Sequence, residues 1–425
     1  MSKKSSKDRT LFTIIMLICI AALGLIAAVG LYFIKNAKDS SSDSGTSQVL
    51  GAAENTTETQ TDSGEPATEE STQDLSSADK YDRIIAGMSL HEKICQMFIV
   101  TPESLTGYDV VTASGETTKN CLAEYPVGGL IYFTQNLEDT DQTRSMLSDA
   151  NSISLDLGGL PLFLAIDEEG GDVARCADAL GTTSFDPMYT YKDEGESTAY
   201  SNAYTIAKDI SALGFNLDFA PVADTWSNPD NTVIGQRAYS DDFAETAKLV
   251  ASAVKGFSEG GVYTTLKHFP GHGDTAEDSH YGTATSDKTL DELAQNEYLA
   301  FKSGIDAGAD MVMMGHITMT AVDQLPASVS KVMITDELRG KLGYDGVVVT
   351  DSLAMGAVAD MYEPSELSVK VVQAGADILL MPADLDQAVW GLENAVESGQ
   401  LSEERINESL RRILILKDKK LGINE

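Results

Sequence analysis

Eight short apolar runs recur along the chain, at residues 95–100, 129–133, 161–166, 215–222, 264–269, 311–317, 346–350 and 377–381. Runs of this length, bounded by Gly, Pro and acidic residues, read as buried strands. The stretches between them carry a helical period. Residues 243–257 place Ala247, Val250, Ala251, Val254 and Phe257 on one face. Residues 290–307 and 402–419 behave likewise, with Ser402 ahead of Glu404 and Arg405 as a start signal. Strands alternating with helices over about 340 residues predict an α/β fold, a (β/α)₈ TIM-type barrel spanning 80–425. A doubly wound open sheet is the structural alternative.

In such a barrel the chemistry lies at the C-terminal ends of the strands. Those ends carry Asp167, Asp224, Lys267 with His268, His316 and Asp351, whereas the strand interiors are apolar. This convergence predicts an enzyme. The stretch 267–280 (KHFPGHGDTAEDSH) is the densest point, holding three of the chain's five histidines around Pro270, Gly271 and Gly273. Asp278 beside His280 forms a pair able to donate a proton and later remove one, because the carboxylate favours and orients the imidazolium. A solvated loop is the plain alternative. A metal site built from His268, His272, Asp278 and His280 is the sharper one, but Pro270 and Gly271 keep the first two off a common helical face. No metal or cofactor is expected. Asp351, between Thr350 and Ser352, reads either as a helix N-cap or as a nucleophile in the barrel mouth. Asp167, opening Asp-Glu-Glu-Gly-Gly with Arg175 shortly after, reads as an acidic turn or as an acceptor for vicinal hydroxyls. Arg237 reads as a surface charge or a ligand clamp.

The N-terminus has its own pattern. Lys3, Lys4, Lys7 and Arg9 lie in a basic tail, residues 1–10, ahead of an uncharged, mostly apolar run at 11–34. Its 24 residues suffice to span a bilayer, which predicts a transmembrane helix with the catalytic domain outside the cell. A cleaved signal peptide is the rival, though its apolar region is normally shorter and ends at a small-x-small site. Residues 35–79 are rich in Ser, Thr and acidic residues and predict a disordered linker. The net charge of −36 argues against nucleic-acid binding. Cys95, Cys121 and Cys176 show no metal-type spacing and imply no disulfide framework. Oligomeric state leaves no mark on the sequence.

Taken together, these stretches resemble glycoside hydrolase family 3, in particular its single-domain bacterial β-N-acetylglucosaminidases. The resemblance is carried by KHFPGHG at 267–273, four residues, then Asp278-Ser279-His280. Further matches are 88–94, Asp167 to Gly171, 219–224, Asn228-Pro229, 234–237, the segment through Asp351, and 406–413. It implies Asp351 as nucleophile, His280 as general acid/base and Asp278 as its orienting partner. Asp167, Arg175, Arg237, Lys267 and His268 would bind the non-reducing-end sugar. The resemblance further implies a retaining exo-hydrolase acting on terminal N-acetylglucosamine of peptidoglycan- or chitin-derived fragments. A phosphorylase on the same scaffold and an inactive cell-wall sugar-binding protein are the alternatives. One departure is Asp172, where the family often has a basic residue after the paired glycines. It bears on the leaving-group side.

Overall fold

The computed structural model describes residues 79–275 and 284–423. Strands in that part are β1 (Phe98–Val100), β2 (Gly129–Ile131), β3 (Phe163–Ile166), β4 (Glu168–Gly170), β5 (Val173–Ala174) and β6 (Leu217–Asp218). They continue with β7 (Thr265–Phe269), β8 (Ala284–Ser286), β9 (Met311–Met314), β10 (Ile317–Met319), β11 (Val347–Thr350) and β12 (Leu379–Leu380). Each of the eight apolar runs contains one of these strands. Their side chains are shielded on both faces, which is why the runs are continuous rather than alternating.

The sheet organisation corrects the expected regular barrel. The parallel strands fall into a five-stranded sheet in the order β12-β1-β2-β3-β6, a half-barrel, and a separate three-stranded sheet, β11-β9-β7. A parallel pair, β10-β8, and an antiparallel pair, β4-β5, make the set mixed. Among the described residues the larger sheets are joined by the isolated bridges Leu217↔Tyr263, Val222↔Lys267 and Val349↔Ile378, and by the Thr265 N–H donating to Ala220 O at 2.7 Å. The cause is local. β6 and β12 are two residues long, and Pro221, beyond β6, has no N–H to continue a ladder. The second correction concerns the membrane. Among the described residues no helix is long and apolar enough to cross one, and the segments 1–10, 11–34 and 35–78 lie outside the described residues. The transmembrane part of the expected architecture therefore has no support in the structure.

Helices cover the strands where the periodicity placed them. Phe243–Gly260 starts at Asp242, whose side chain accepts from the Glu245 N–H, and Glu403–Lys420 starts at Ser402, which accepts from the Arg405 N–H. The expected helix 290–307 is two, Leu290–Gln295 and Tyr298–Asp306, because Asn296 leaves the helical region at φ −126°, ψ −91°. The C-terminal helix also closes the end of the fold opposite the strands' C-terminal ends. There Lys417, fully buried, donates to Gln96 Oε1 at 2.9 Å and lies over the Phe163 ring.

Candidate active site

The C-terminal ends of the parallel strands surround a cavity of about 370 Å³. Asp167, Arg175, Arg237, Lys267, His268 and Asp351 all line it. Six residues picked out by sequence from five separate segments are thus brought together. Asp278 and His280 lie outside the described residues.

One wall is an ion network. β3 ends at Ile166, and β4 follows with its side chains alternating between two directions. Asp167 and Glu169 line the cavity. Glu168 turns the other way, where its carboxylate accepts from the Cys176 N–H at 2.6 Å and the Ala177 N–H at 3.0 Å. Burial pushes the Glu168 carboxyl up to about 7. The turn between β4 and β5 needs glycine at 171. Its φ is +55°, and a Cβ there would lie 2.7 Å from Pro187 Cα. Asp172 is exposed on that turn.

Lys267 Nζ donates to Asp167 Oδ1 at 2.7 Å and lies 2.6 Å from Glu169 Oε1. Arg237 reaches the same carboxylate through Nε at 2.9 Å and Nη2 at 2.7 Å, a two-point clasp. Arg175 donates to Asp167 Oδ2 at 3.2 Å, with its guanidinium 4.7 Å from the centre of the Phe133 ring. Burial on its own would raise the Glu169 carboxyl, but Arg237 and Lys267 beside it hold it well below the usual carboxylate range. Burial likewise works against the Lys267 ammonium, and Asp167 and Glu169 more than offset it, raising its pKa.

The second wall is built by the segment after β7. Asp224 accepts from the His268 N–H, from His268 Nδ1 at 2.8 Å and from the His272 N–H at 2.6 Å. With Nδ1 donating to Asp224, the other ring nitrogen, Nε2, is directed away from that carboxylate. His272 also lines the cavity, with Nδ1 2.7 Å from Thr275 Oγ1. Burial, then the neighbouring His268, lowers its pKa. Gly273 sits so close to the loop above β6 that a Cβ would lie 1.7 Å from Thr225 O. Asn228 and Asn231 tie the same two loops through the carbonyls of Asp274 and His272.

Asp351 follows β11, with its N–H donating to Met314 O at 2.9 Å. Its Oδ1 accepts from the adjacent Ser352 N–H at 2.7 Å, and the next helix, Gly356–Ala359, has Met355 at its cap position. Asp351 is therefore not a helix cap. Its half-buried carboxylate faces the cavity. Burial would raise its pKa, but His268, His316 and the Ser352 N–H bring it below the ordinary value of 3.8.

Sequence reasoning gave Glu169, Asp224 and His272 no part in a sugar site, His272 entering only as a possible metal ligand. Asp224 had been placed at a strand end without a role, and Glu169 had been absorbed into an acidic turn. The two-residue spacing of Asp167 and Glu169 was the available signal, since alternate residues of an extended segment share a face.

Comparison with known proteins bears on the family and the fold. The model of the glycosyl hydrolase family 3 N-terminal domain matches residues 89–416. Beta-hexosaminidase A of Pseudoalteromonas piscicida is 37% identical over 324 residues, covering 70% of this chain and 54% of that protein. This chain thus spans about half the length of that relative. Beta-hexosaminidase LpqI of Mycobacterium tuberculosis is 32% identical over 353 residues, 79% of this chain and 84% of that one. Among solved structures, a glycoside hydrolase family 3 beta-N-acetylglucosaminidase from Paenibacillus sp. str. FPU-7 superposes with a TM-score of 0.75 at 37% identity. The alignment covers 80% of this chain and 64% of that structure. With nearly all of the described residues matched, and the cavity among them, the chain belongs to glycosyl hydrolase family 3.

Proposed function

We propose that this protein is a retaining, exo-acting β-N-acetylglucosaminidase that hydrolyses terminal non-reducing N-acetylglucosamine. The observation that carries the reading is Asp351. Its ionised carboxylate, released from any capping role, faces a cavity lined by cations and carboxylates. The relatives' names, β-hexosaminidase and β-N-acetylglucosaminidase, support the choice of sugar. A cavity of about 370 Å³ is at the small end of ligand pockets, which suits one terminal sugar.

In the mechanism, Asp351 attacks the anomeric carbon as the bond to the departing oxygen breaks. His280, protonated and oriented by Asp278, gives its proton to that oxygen. A glycosyl ester on Asp351 results. Neutral His280 then takes a proton from water, whose oxygen attacks the same carbon and releases Asp351, so configuration is retained. Asp167 accepts from sugar hydroxyls, while Lys267, His268, Arg175 and Arg237 donate to sugar oxygens. The ion network holds these groups in place before substrate arrives.

We propose further that the substrates are peptidoglycan- or chitin-derived fragments met outside the cytoplasm. The basic-then-apolar N-terminus supports export, and protease accessibility of the protein on intact cells tests it. The reaction itself is tested by proton NMR of the first turnover of a β-linked N-acetylglucosaminide. Initial release of the β-anomer is expected. Initial release of the α-anomer means inversion and overturns the role given to Asp351.

A further inference from the structure

Asp172 has no part in the mechanism above, yet it stands beside the cavity. It lies on the turn between β4 and β5, where Gly171 packs against Pro187. The next residue, Val173, lines the cavity, as does Arg175. The Asp172 side chain is exposed and, among the described residues, has no hydrogen-bond or ion-pair partner. Adjacent Cα atoms are about 3.8 Å apart, so this charge falls within a Debye length of the cavity mouth, roughly 10 Å at 0.1 M salt.

A cavity of about 370 Å³ holds one sugar. In an exo-acting hydrolysis the departing part of the substrate therefore sits outside it, among the loops at the mouth. The charges that meet it there are of one sign. Inside the wall, Arg175, Arg237 and Lys267 are matched by Asp167 and Glu169. The segments 167–190 and 219–242, which form that side of the mouth, hold no other Lys or Arg. Lys192, just beyond, is paired with Asp241 at 3.3 Å. Asp172 meanwhile has acidic company. The contact of Gly171 with Pro187 leaves the Cα atoms of Asp172 and Asp186 at most about 12 Å apart. Asp186 is exposed, and so is Asp230, three residues ahead of the lining residue Val233.

We propose that Asp172 is a specificity-determining residue on the leaving-group side, selecting a departing sugar that carries a protonated amine over one that carries a carboxylate. The substrate class is thus a glycan in which the sugar following the terminal N-acetylglucosamine is an amino sugar without its acyl group. The inference rests on the hydrolase reading above and adds the chemistry of the departing sugar to it. A neutral departing sugar falls between the two. Because Asp172 is exposed, its attraction for one opposite charge amounts to a factor of roughly two to five, and salt weakens it.

The experiment compares three β-1,4-linked disaccharides with N-acetylglucosamine at the non-reducing end. The reducing sugar is glucosamine, N-acetylglucosamine or N-acetylmuramic acid, whose lactyl ether bears a carboxylate. The kcat/KM of the full chain is measured at low salt and about pH 6, where the amine is protonated. Wild type, Asp172→Asn and Asp172→Lys are compared. Asn has the shape of Asp, so a change in the ratio of two substrates reports charge, with size and leaving ability cancelled. Wild type is expected to favour the amine over the carboxylate. That ratio should fall roughly fivefold in Asp172→Asn and roughly 20-fold in Asp172→Lys. Both changes should shrink toward nothing in about 1 M salt, where the Debye length is about 3 Å. A ratio that is the same in all three proteins overturns the proposal, as does a wild type that favours the carboxylate or a change unaffected by salt. A neutral chromogenic β-N-acetylglucosaminide separates this inference from the reading beneath it. If wild type hydrolyses it while the ratios do not move, only the role of Asp172 is overturned. If wild type hydrolyses neither it nor the disaccharides, the hydrolase reading falls and the inference with it.

Discussion

The Glu169 carboxylate lies 2.6 Å from the Lys267 ammonium, and both groups are almost wholly shielded from solvent. Arg237 grips the same carboxylate. Replacing Glu169 by Gln preserves the shape but leaves two adjacent cations without their shared anion. The expected result is a fall in kcat/KM of roughly 10- to 100-fold, chiefly through KM. Glu169→Ala should also lower the melting temperature, since breaking a buried pair costs about 3–5 kcal/mol. Steady-state kinetics with a thermal melt checks both. Wild-type kinetics for Glu169→Gln would mean that shape, not charge, orders Lys267 and Arg237.

Asp351→Ala should reduce kcat at least about a thousandfold while leaving the melting temperature nearly unchanged, because the side chain holds no helix and packs against an open cavity. The pH dependence follows from the same geometry. The Asp351 pKa lies below the ordinary 3.8, so the carboxylate proposed as nucleophile stays ionised as pH falls to that value, and is lost only as pH falls further through the native pKa. The acid limb of kcat/KM assigned to Asp351 is therefore expected below pH 3.8. A profile recorded on enzyme shown to remain folded at each pH tests it, and an Asp351-dependent limb above that value contradicts the proposed surroundings.

Asp224 accepts three N–H groups from the His268–His272 segment. Asp224→Asn introduces an amide that must turn a donor toward one of them. A loss of roughly 10- to 100-fold in kcat/KM is expected, by analogy with removing partners that orient a functional imidazole. Crystallography of the variant should find the His268 ring rotated. An unmoved ring with unaltered kinetics would show that the backbone alone fixes it.

Lys417 gives a stability prediction independent of catalysis. Burial lowers its pKa from 10.5 to about 7. Between these values the unfolded chain binds more protons at this site than the native one, so its contribution to stability rises with pH across that window. Below pH 7 the cost of burying the charge is felt in full. Lys417→Met should raise the melting temperature by several degrees at pH 6, with the gain shrinking toward pH 10. Equal shifts at both pH values would show that Lys417 does not titrate in the native state.

The strand positions were legible because strands buried on both faces must be written as unbroken apolar runs. How those strands join was not, since the ladder gives way to isolated bridges at a two-residue β6 followed by Pro221, and hydropathy is blind to a missing N–H. The break at Asn296 was hidden for a related reason. Leu293, Tyr298 and Phe301 are buried on both sides of it, so the periodicity runs through a backbone that does not. At the site, charged residues on strand ends were found easily. Asp351 remained two-valued, because a cap and a nucleophile demand the same residue at the same place. Glu169 was missed because three acidic residues in a row look like a surface turn until alternation separates the two that face inward from Glu168, which does not.

The paired network in the cavity also determines how this molecule responds to ionic strength. The chain as a whole carries a charge of −36, yet inside the cavity Arg175, Arg237 and Lys267 stand against Asp167, Glu169 and Asp351. The cations are matched within the wall itself, so little of the surrounding field is left for a neutral sugar to feel. Turnover of an uncharged glucosaminide should thus be nearly indifferent to salt, while encounter with polyanionic or polycationic glycans is screened steeply over a Debye length of roughly 10 Å at 0.1 M salt. The protein repels or attracts at long range and recognises at short range by two separate sets of charges.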